Sequence, residues 1–324
     1  MTRVLVTDYA WPSLDVEREV LGAAGVELVA ARTGDTDELV ALASDVDAIM
    51  TCFAKVSAQV LDAAPRCRTV ARYGVGVDNI DVAHATSLGM LVSNVPEYCS
   101  EDVADHSLLL MLALSRRLKF LTSLVAGGGW DATEGTAVRL SGRVLGLVGL
   151  GAIGRALVPR AQALGLKVTA FRRSASLPPG VRAAASLDEL LSTADIVSLH
   201  VPSTPETAGL IGARELALMK PTAWLINTAR GTLVDTDALL SALQNGQIAG
   251  AGLDVTDPEP LPPDHPFRTR DDVVLTPHVA FASDLSLAEL ARKAAINVID
   301  VLAGRVPADV VNPEVLTMPR SRVR

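Results

Sequence analysis

The chain has 324 residues, 49% hydrophobic and 20% charged, with a formal net charge of -8 at pH 7. That length carries two domains with separate cores, and the acidic balance argues against nucleic acid, whose binding rests on Lys and Arg neutralising phosphates. No apolar stretch is long and uninterrupted enough to span a membrane, and three widely spaced cysteines (Cys52, Cys67, Cys99) fit reduced thiols in a cytoplasmic protein better than a disulfide frame or a metal site.

From the N-terminus, Met1–Asp8 reads as a first strand and lacks the apolar core of a secretion signal. Further Val/Ile/Leu-rich runs lie near 26–30, 46–50, 69–73 and 91–93, separated by Ala/Leu-rich helical stretches. Asn94–Glu97 is turn-like. Ser100–Phe120 is predicted as one helix, with Leu108, Leu109, Leu112 and Leu118 on its apolar face. After Gly127-Gly128-Gly129-Trp130 and a polar stretch to Arg143, a second strand series lies near 144–149, 167–171, 195–200, 223–227, 249–254 and 273–276. Strands of continuous apolar character belong to parallel sheets covered on both faces. Their alternation with helices implies right-handed crossovers. A last helix is predicted at about Leu285–Leu302, and the basic tail Arg320–Arg324 is expected to be disordered.

Gly149-Leu150-Gly151-Ala152-Ile153-Gly154 falls between the apolar run Val144–Val148 and the helical stretch Arg155–Leu164. In that context Gly-x-Gly-x-x-Gly is a dinucleotide-binding fingerprint. The first glycine permits the turn, the second lets backbone approach a pyrophosphate, and the third lets helix pack on strand. The helix N-terminus offers unpaired N–H groups to the phosphates. Its mid-chain position implies an inserted nucleotide domain. The fold class expected is α/β, with two doubly wound parallel-sheet domains, Rossmann-like and flavodoxin-like. A dinucleotide-binding domain at 100–284 interrupts a substrate domain made of 1–99 and 285–324. Pro159, inside the helix after the glycines, predicts a kink and has no functional reading. The second strand of such a sheet usually ends in an acid for the ribose 2′-hydroxyl. Here it ends in Arg172-Arg173-Ser174, which predicts NADP(H) over NAD(H). The plainer alternative stacks Arg172 on adenine with weak selectivity.

Ligands of these sheets bind beyond the carboxyl ends of the strands, where three features fall. Asn227-Thr228-Ala229-Arg230-Gly231 ends a buried strand in a guanidinium able to grip a carboxylate bidentately. Asp254 ends the next strand, and Glu259 follows between Pro258 and Pro260. Thr276-Pro277-His278 ends a third, and a histidine there suits proton transfer, its charged form stabilised by a carboxylate partner. Taken singly these are also a helix-capping arginine, an acidic loop and a structural histidine. His84, His106, His200 and His265 are assigned structural roles, His200 bordering the nucleotide site. Together the three suit hydride transfer to a carbonyl beside a carboxylate.

Tyr73-Gly74-Val75-Gly76-Val77-Asp78-Asn79-Ile80-Asp81, Gly149–Gly154, Asn227–Gly231, Asp254–Pro260 and Thr276–His278 resemble the signatures of the D-isomer-specific 2-hydroxyacid dehydrogenase family. His278–Ser283 is similar to the branch with phosphoglycerate-dehydrogenase-like enzymes and C-terminal-binding corepressors. The resemblance implies a homodimer, with Trp130 in a stretch that packs on the partner, and a small 2-keto or 2-hydroxy acid as substrate. It implies Arg230, Glu259 and His278 as the catalytic set. Val75, Gly76, Tyr98 and Arg230 would touch substrate. Trp11, Thr51, Cys52, Phe53 and Phe281 either shape its side-chain pocket, with Tyr98, or, for the aromatics, belong to the core; a roomy, partly apolar pocket would favour glyoxylate, hydroxypyruvate or larger keto acids over phosphorylated ones. Gly149, Gly151, Ala152, Ile153, Gly154, Arg172, Arg173, Ser174, Val201, Pro202, Thr207, Thr228, Ala229 and Asp254 would hold NADP or NAD, Asp254 on the nicotinamide amide. One alternative is a nucleotide-sensing binding protein of the corepressor type, which would not require all three catalytic residues. Another is a formate or phosphite dehydrogenase. Glu259 stands where the formate type has an amide, and Val75 and Val77 leave no lysine for phosphite.

Overall fold

Among the described residues, 1–172 and 176–323, the strand pairings of the computed structural model are parallel and form two sheets. The chain divides into two units, Met1–Tyr98 with Ser283–Arg324, and Cys99–Ala282.

Unit 1 alternates β1 (Thr2–Val6), α1 (Asp15–Ala23), β2 (Val26–Ala30), α2 (Thr36–Ala43), β3 (Ala48–Thr51), α3 (Ala58–Asp62), β4 (Thr69–Arg72), α4 (Val82–Ser87) and β5 (Leu91–Ser93). The sheet order is β2-β1-β3-β4-β5, the flavodoxin-like arrangement. Leu5, Ile49, Val70 and Val92 pack with Leu39 and Val60 in one core. Asp35 and Asp81 cap α2 and α4, accepting from Glu38 N and His84 N at 2.9 Å each.

Unit 2 opens with α5 (Ser100–Ser115) and α6 (Leu118–Ala126). Its sheet comprises β6 (Val144–Val148), β7 (Lys167–Phe171), β8 (Val181–Ala183), β9 (Ile196–Leu199), β10 (Trp224–Asn227), β11 (Gly250–Leu253) and β12 (Val273–Leu275). The helices between them are α7 (Ala152–Ala163), α8 (Leu187–Thr193), α9 (Ala213–Leu218) and α10 (Thr236–Gln244). The order β12-β11-β10-β9-β6-β7-β8 reverses direction between β6 and β9. That switch point is where a dinucleotide sits in sheets of this kind. Two cores flank the sheet, one around Leu199, Leu225 and Phe267, the other around Leu110, Leu147 and Leu157.

The chain then returns to unit 1 as α11 (Asp284–Leu302), begun by a Ser283–Ser286 capping box. Its buried face, Leu290, Ala294, Val298 and Val301, lies against α1 and the strands β3, β4 and β5.

Two expectations are corrected. The helix predicted over Ser100–Phe120 breaks at Arg117, whose backbone is left-handed (φ 51°, ψ 39°). Val138 N takes the Ser115 carbonyl there at 2.8 Å, ending α5. The tail is ordered through Val323, because Arg68 donates to the carbonyls of Leu302, Arg322 and Val323 at 2.8, 2.6 and 2.9 Å. Arg322 in turn donates to Cys67 O at 2.8 Å. The short edge strand β8 was not foreseen. Helix α7 runs unbroken through the exposed Pro159.

Candidate active site

The glycine fingerprint follows β6 and divides its labour by position. Gly149 has φ +97°, and a Cβ there would stand 2.3 Å from the His200 carbonyl oxygen. Gly151 precedes α7, and a Cβ on it would meet nothing within 4 Å. A Cβ on Gly154 would press the Gly149 carbonyl at 2.9 Å. One glycine makes the turn, one leaves an open approach, and one closes helix on strand. The first-turn N–H groups of α7, from Ala152, Ile153 and Gly154, point out of the helix without intrahelical partners. An anionic pyrophosphate fits this cradle.

Arg172 stands one residue past β7, whose Phe171 carbonyl accepts from Gly149 N at 2.9 Å. It therefore borders the fingerprint. Arg173 and Ser174 lie outside the described residues. Across the switch point His200 N donates to Val148 O at 2.7 Å, and its Nε2 pairs with Ser198 Oγ at 2.9 Å. Burial holds the His200 imidazole down to about 4, so it is neutral near pH 7. Past Val201 and Pro202, Thr207 spends its hydroxyl on the loop itself, donating to Pro202 O at 2.7 Å and accepting from Thr204 N at 2.8 Å.

Strands β10, β11 and β12 end together at one edge. Asp254 N donates to Asn227 O at 2.9 Å, and Thr276 N to Leu253 O at 3.0 Å. Each strand then delivers one of the three expected groups. Buried Asn227 folds the first loop back, its side chain bonding Arg230 O at 2.8 Å and Ala229 N at 3.0 Å. The Arg230 guanidinium donates to Ala229 O at 2.8 Å. Thr228 Oγ1 meets Ser107 Oγ of α5 at 2.9 Å. Next to Arg230, a Cβ on Gly231 would sit 2.0 Å from Thr256 O. Only glycine permits this approach, which lays the Arg230 loop on the loop that carries Glu259.

Glu259 stands between two prolines in cis peptide linkage. Its Oε1 lies 2.6 Å from His278 Nδ1. His278 has φ 54°, a left-handed backbone that a β-carbon disfavours. Asp254 supplies the compensation. Its carboxylate is wholly buried and accepts from Thr276 Oγ1 (2.6 Å), Val279 N (3.0 Å) and Ala280 N (2.9 Å), while its carbonyl accepts from His278 N (2.8 Å). Asp254, expected at the nicotinamide amide, thus also braces the His278 turn from its buried position. His106 Nε2 completes the network at 2.9 Å from Thr276 Oγ1 and 3.6 Å from Asp254. This is a structural role, as expected for His106, but nothing in the sequence pointed to its partner Thr276. The Phe281 ring packs edge-on to His278, with centroids 6.1 Å apart.

The expected substrate residues Val75, Gly76 and Tyr98 belong to unit 1. Val75 is 46% exposed and Tyr98 only 8%. The loop is pinned by Asn94 Nδ2 on Val75 O at 2.7 Å, just past Gly74 at φ +137°.

Residues 108–280 match the family described as D-isomer specific 2-hydroxyacid dehydrogenase, NAD binding domain. The chain belongs to this family. A glyoxylate reductase of Thermofilum pendens is 42% identical over 299 residues, covering 89% of this chain and 88% of that protein. The TT0316 protein from Thermus thermophilus superposes with a TM-score of 0.89 at 38% identity, covering 96% of this chain and 100% of the other. D-lactate dehydrogenase from Aquifex aeolicus, solved with NAD and lactic acid, gives 0.85 at 30% identity, covering 96% and 99%. As a 2-hydroxyacid dehydrogenase, the protein is an oxidoreductase that uses a nicotinamide cofactor. Among the described residues no helix is long and apolar enough to cross a membrane.

Proposed function

We propose that the protein is a 2-keto acid reductase that acts on small substrates of the glyoxylate and hydroxypyruvate kind. The observation that carries this reading is the 2.6 Å contact between His278 and Glu259. It lies at the strand edge from which Arg230 also projects. When bound at Gly149–Gly154, the nicotinamide cofactor supplies the hydride equivalent. The residues do the rest. Glu259 accepts from Nδ1–H and so makes Nε2 the nitrogen that delivers a proton to the developing alkoxide. Arg230 holds carboxylate and carbonyl oxygen in one plane. Thr228 and Ala229 would line the nicotinamide ring and Asp254 would hold its amide, while bracing the turn that carries His278. In unit 1, the N–H groups of Val75 and Gly76 are assigned an anion nest and Tyr98 a supporting place in that wall. The similarity to a glyoxylate reductase supports the substrate class. The family's homodimer is carried over to this chain, with the 90% exposed Trp130 on the partner-facing stretch.

A screen of 2-keto acids by loss of NAD(P)H absorbance tests the reading. His278→Ala is expected to lower kcat by about 10²–10⁴-fold with cofactor affinity nearly unchanged. Wild-type turnover in that variant would remove His278 from the mechanism. Absence of turnover with every 2-keto acid of the screen would instead favour the rival reading, a nucleotide-sensing binding protein.

For the cofactor we propose NADP(H), since Arg172 replaces the acid that would repel a 2′-phosphate. Val201, Pro202 and Thr207 are proposed as further cofactor-binding residues. The ratio of kcat/KM for NADPH over NADH is expected to exceed unity and to invert in Arg172→Asp. A strong NADH preference in the wild type would refute this.

A further inference from the structure

The candidate active site uses the carboxyl edge of the unit 2 sheet. At the amino edge, beneath the starts of β10, β11, β12 and β6, lies a cavity of about 370 Å³. A strand length, on the order of 15 Å, separates it from the dinucleotide edge. Its size suits a small organic molecule.

The walls are of two kinds. Leu114, Val138, Trp224 and Val274 form an apolar side, and Arg117 and Arg143 a cationic one. Both guanidiniums are held in place. Arg117 stacks on Phe120 (4.3 Å to the ring centroid) and donates Nη1 to Glu134 O at 2.6 Å. Arg143 donates Nε to Arg139 O at 3.0 Å and sets Nη1 3.8 Å from Asp195. These bonds leave further N–H groups on each guanidinium.

Charge agrees. Lys119 also lines the cavity, its Nζ bonded to the carbonyls of Arg268, Arg270 and Val273 at 3.2, 2.5 and 3.0 Å. Two acids, Asp271 and Asp272, share the lining, and Asp272 is taken by Arg270 through bonds of 2.8 and 2.6 Å. Asp195 is likewise taken by Lys220 at 2.9 Å. Basic groups thus prevail at this edge, in a chain of net charge -8.

We propose that this cavity is a second binding site, for a small organic carboxylate with an apolar body. Arg117 and Arg143 take the carboxylate, and Trp224, Leu114 and Val138 take the body. Inorganic phosphate would satisfy the cations and leave the apolar wall wet.

Calorimetric titration of the full chain with benzoate tests this. Arg230→Gln, which removes the proposed carboxylate grip of the active site, is expected to keep a benzoate site. Adding Arg117→Gln and Arg143→Gln should weaken it at least tenfold. Thr222→Trp, which fills the cavity mouth and leaves both guanidiniums in place, should weaken it as much while the catalytic constants of an otherwise wild-type chain stay unchanged. Benzoate binding that is undetectable in Arg230→Gln, or that survives Thr222→Trp, would overturn the site. Equal binding of phosphate and benzoate would overturn the carboxylate assignment.

Discussion

At the scale of single residues, His278 and Asp254 show how a reactive side chain is held in place. A left-handed non-glycine residue costs about 1–2 kcal/mol, and the buried Asp254 carboxylate offsets it with hydrogen bonds on the residues that follow. The catalytic candidates were legible because Arg230, Glu259 and His278 each follow an apolar strand. The brace was not. His106 and Thr276 are 170 positions apart, and nothing in composition or periodicity pairs them. His200 gives a separate test. Burial lowers its imidazole from 6.5 to about 4. In the unfolded chain it takes up a proton as pH falls below about 6.5, while the folded chain resists until about 4. The stability it contributes is therefore whole above neutral pH and is lost as pH falls through that window. The loss amounts to about 3 kcal/mol. Thermal melts between pH 4 and 7.5 should show a shallower acid decline in His200→Asn than in the wild type.

At the scale of elements, the strands were readable because they are buried on both faces and keep continuous apolar runs. Strand β8 has three residues and one buried side chain, too little for such a signal. The break between α5 and α6 escaped notice for the opposite reason, since the leucine face continues past Arg116 and Arg117. Pro159 was readable as a fault in α7, yet the helix absorbs it at an exposed position. A proline in a helix interior costs up to ~3 kcal/mol against alanine, partly returned through the unfolded state. Pro159→Ala is accordingly expected to stabilise by about 1–2 kcal/mol, read as a higher Tm with kcat unchanged. A lower Tm would mean that α7 depends on the distortion.

At the scale of the whole molecule, unit 2 is one uninterrupted segment and unit 1 is two. A fragment covering 99–282 contains both of its cores and is expected to unfold cooperatively and bind the cofactor alone. A chain ending at Ala282 should leave unit 1 without α11 and sensitive to proteolysis. Equal protease resistance of the two units in that truncation would contradict this. The same interruption sets a schedule for synthesis. The face of α1 that α11 covers leaves the ribosome first, and its cover emerges only after unit 2, roughly 15–50 s later. During that interval the sheet face of β3, β4 and β5 that α11 packs against is bare as well, and a chaperone has its clearest opportunity there.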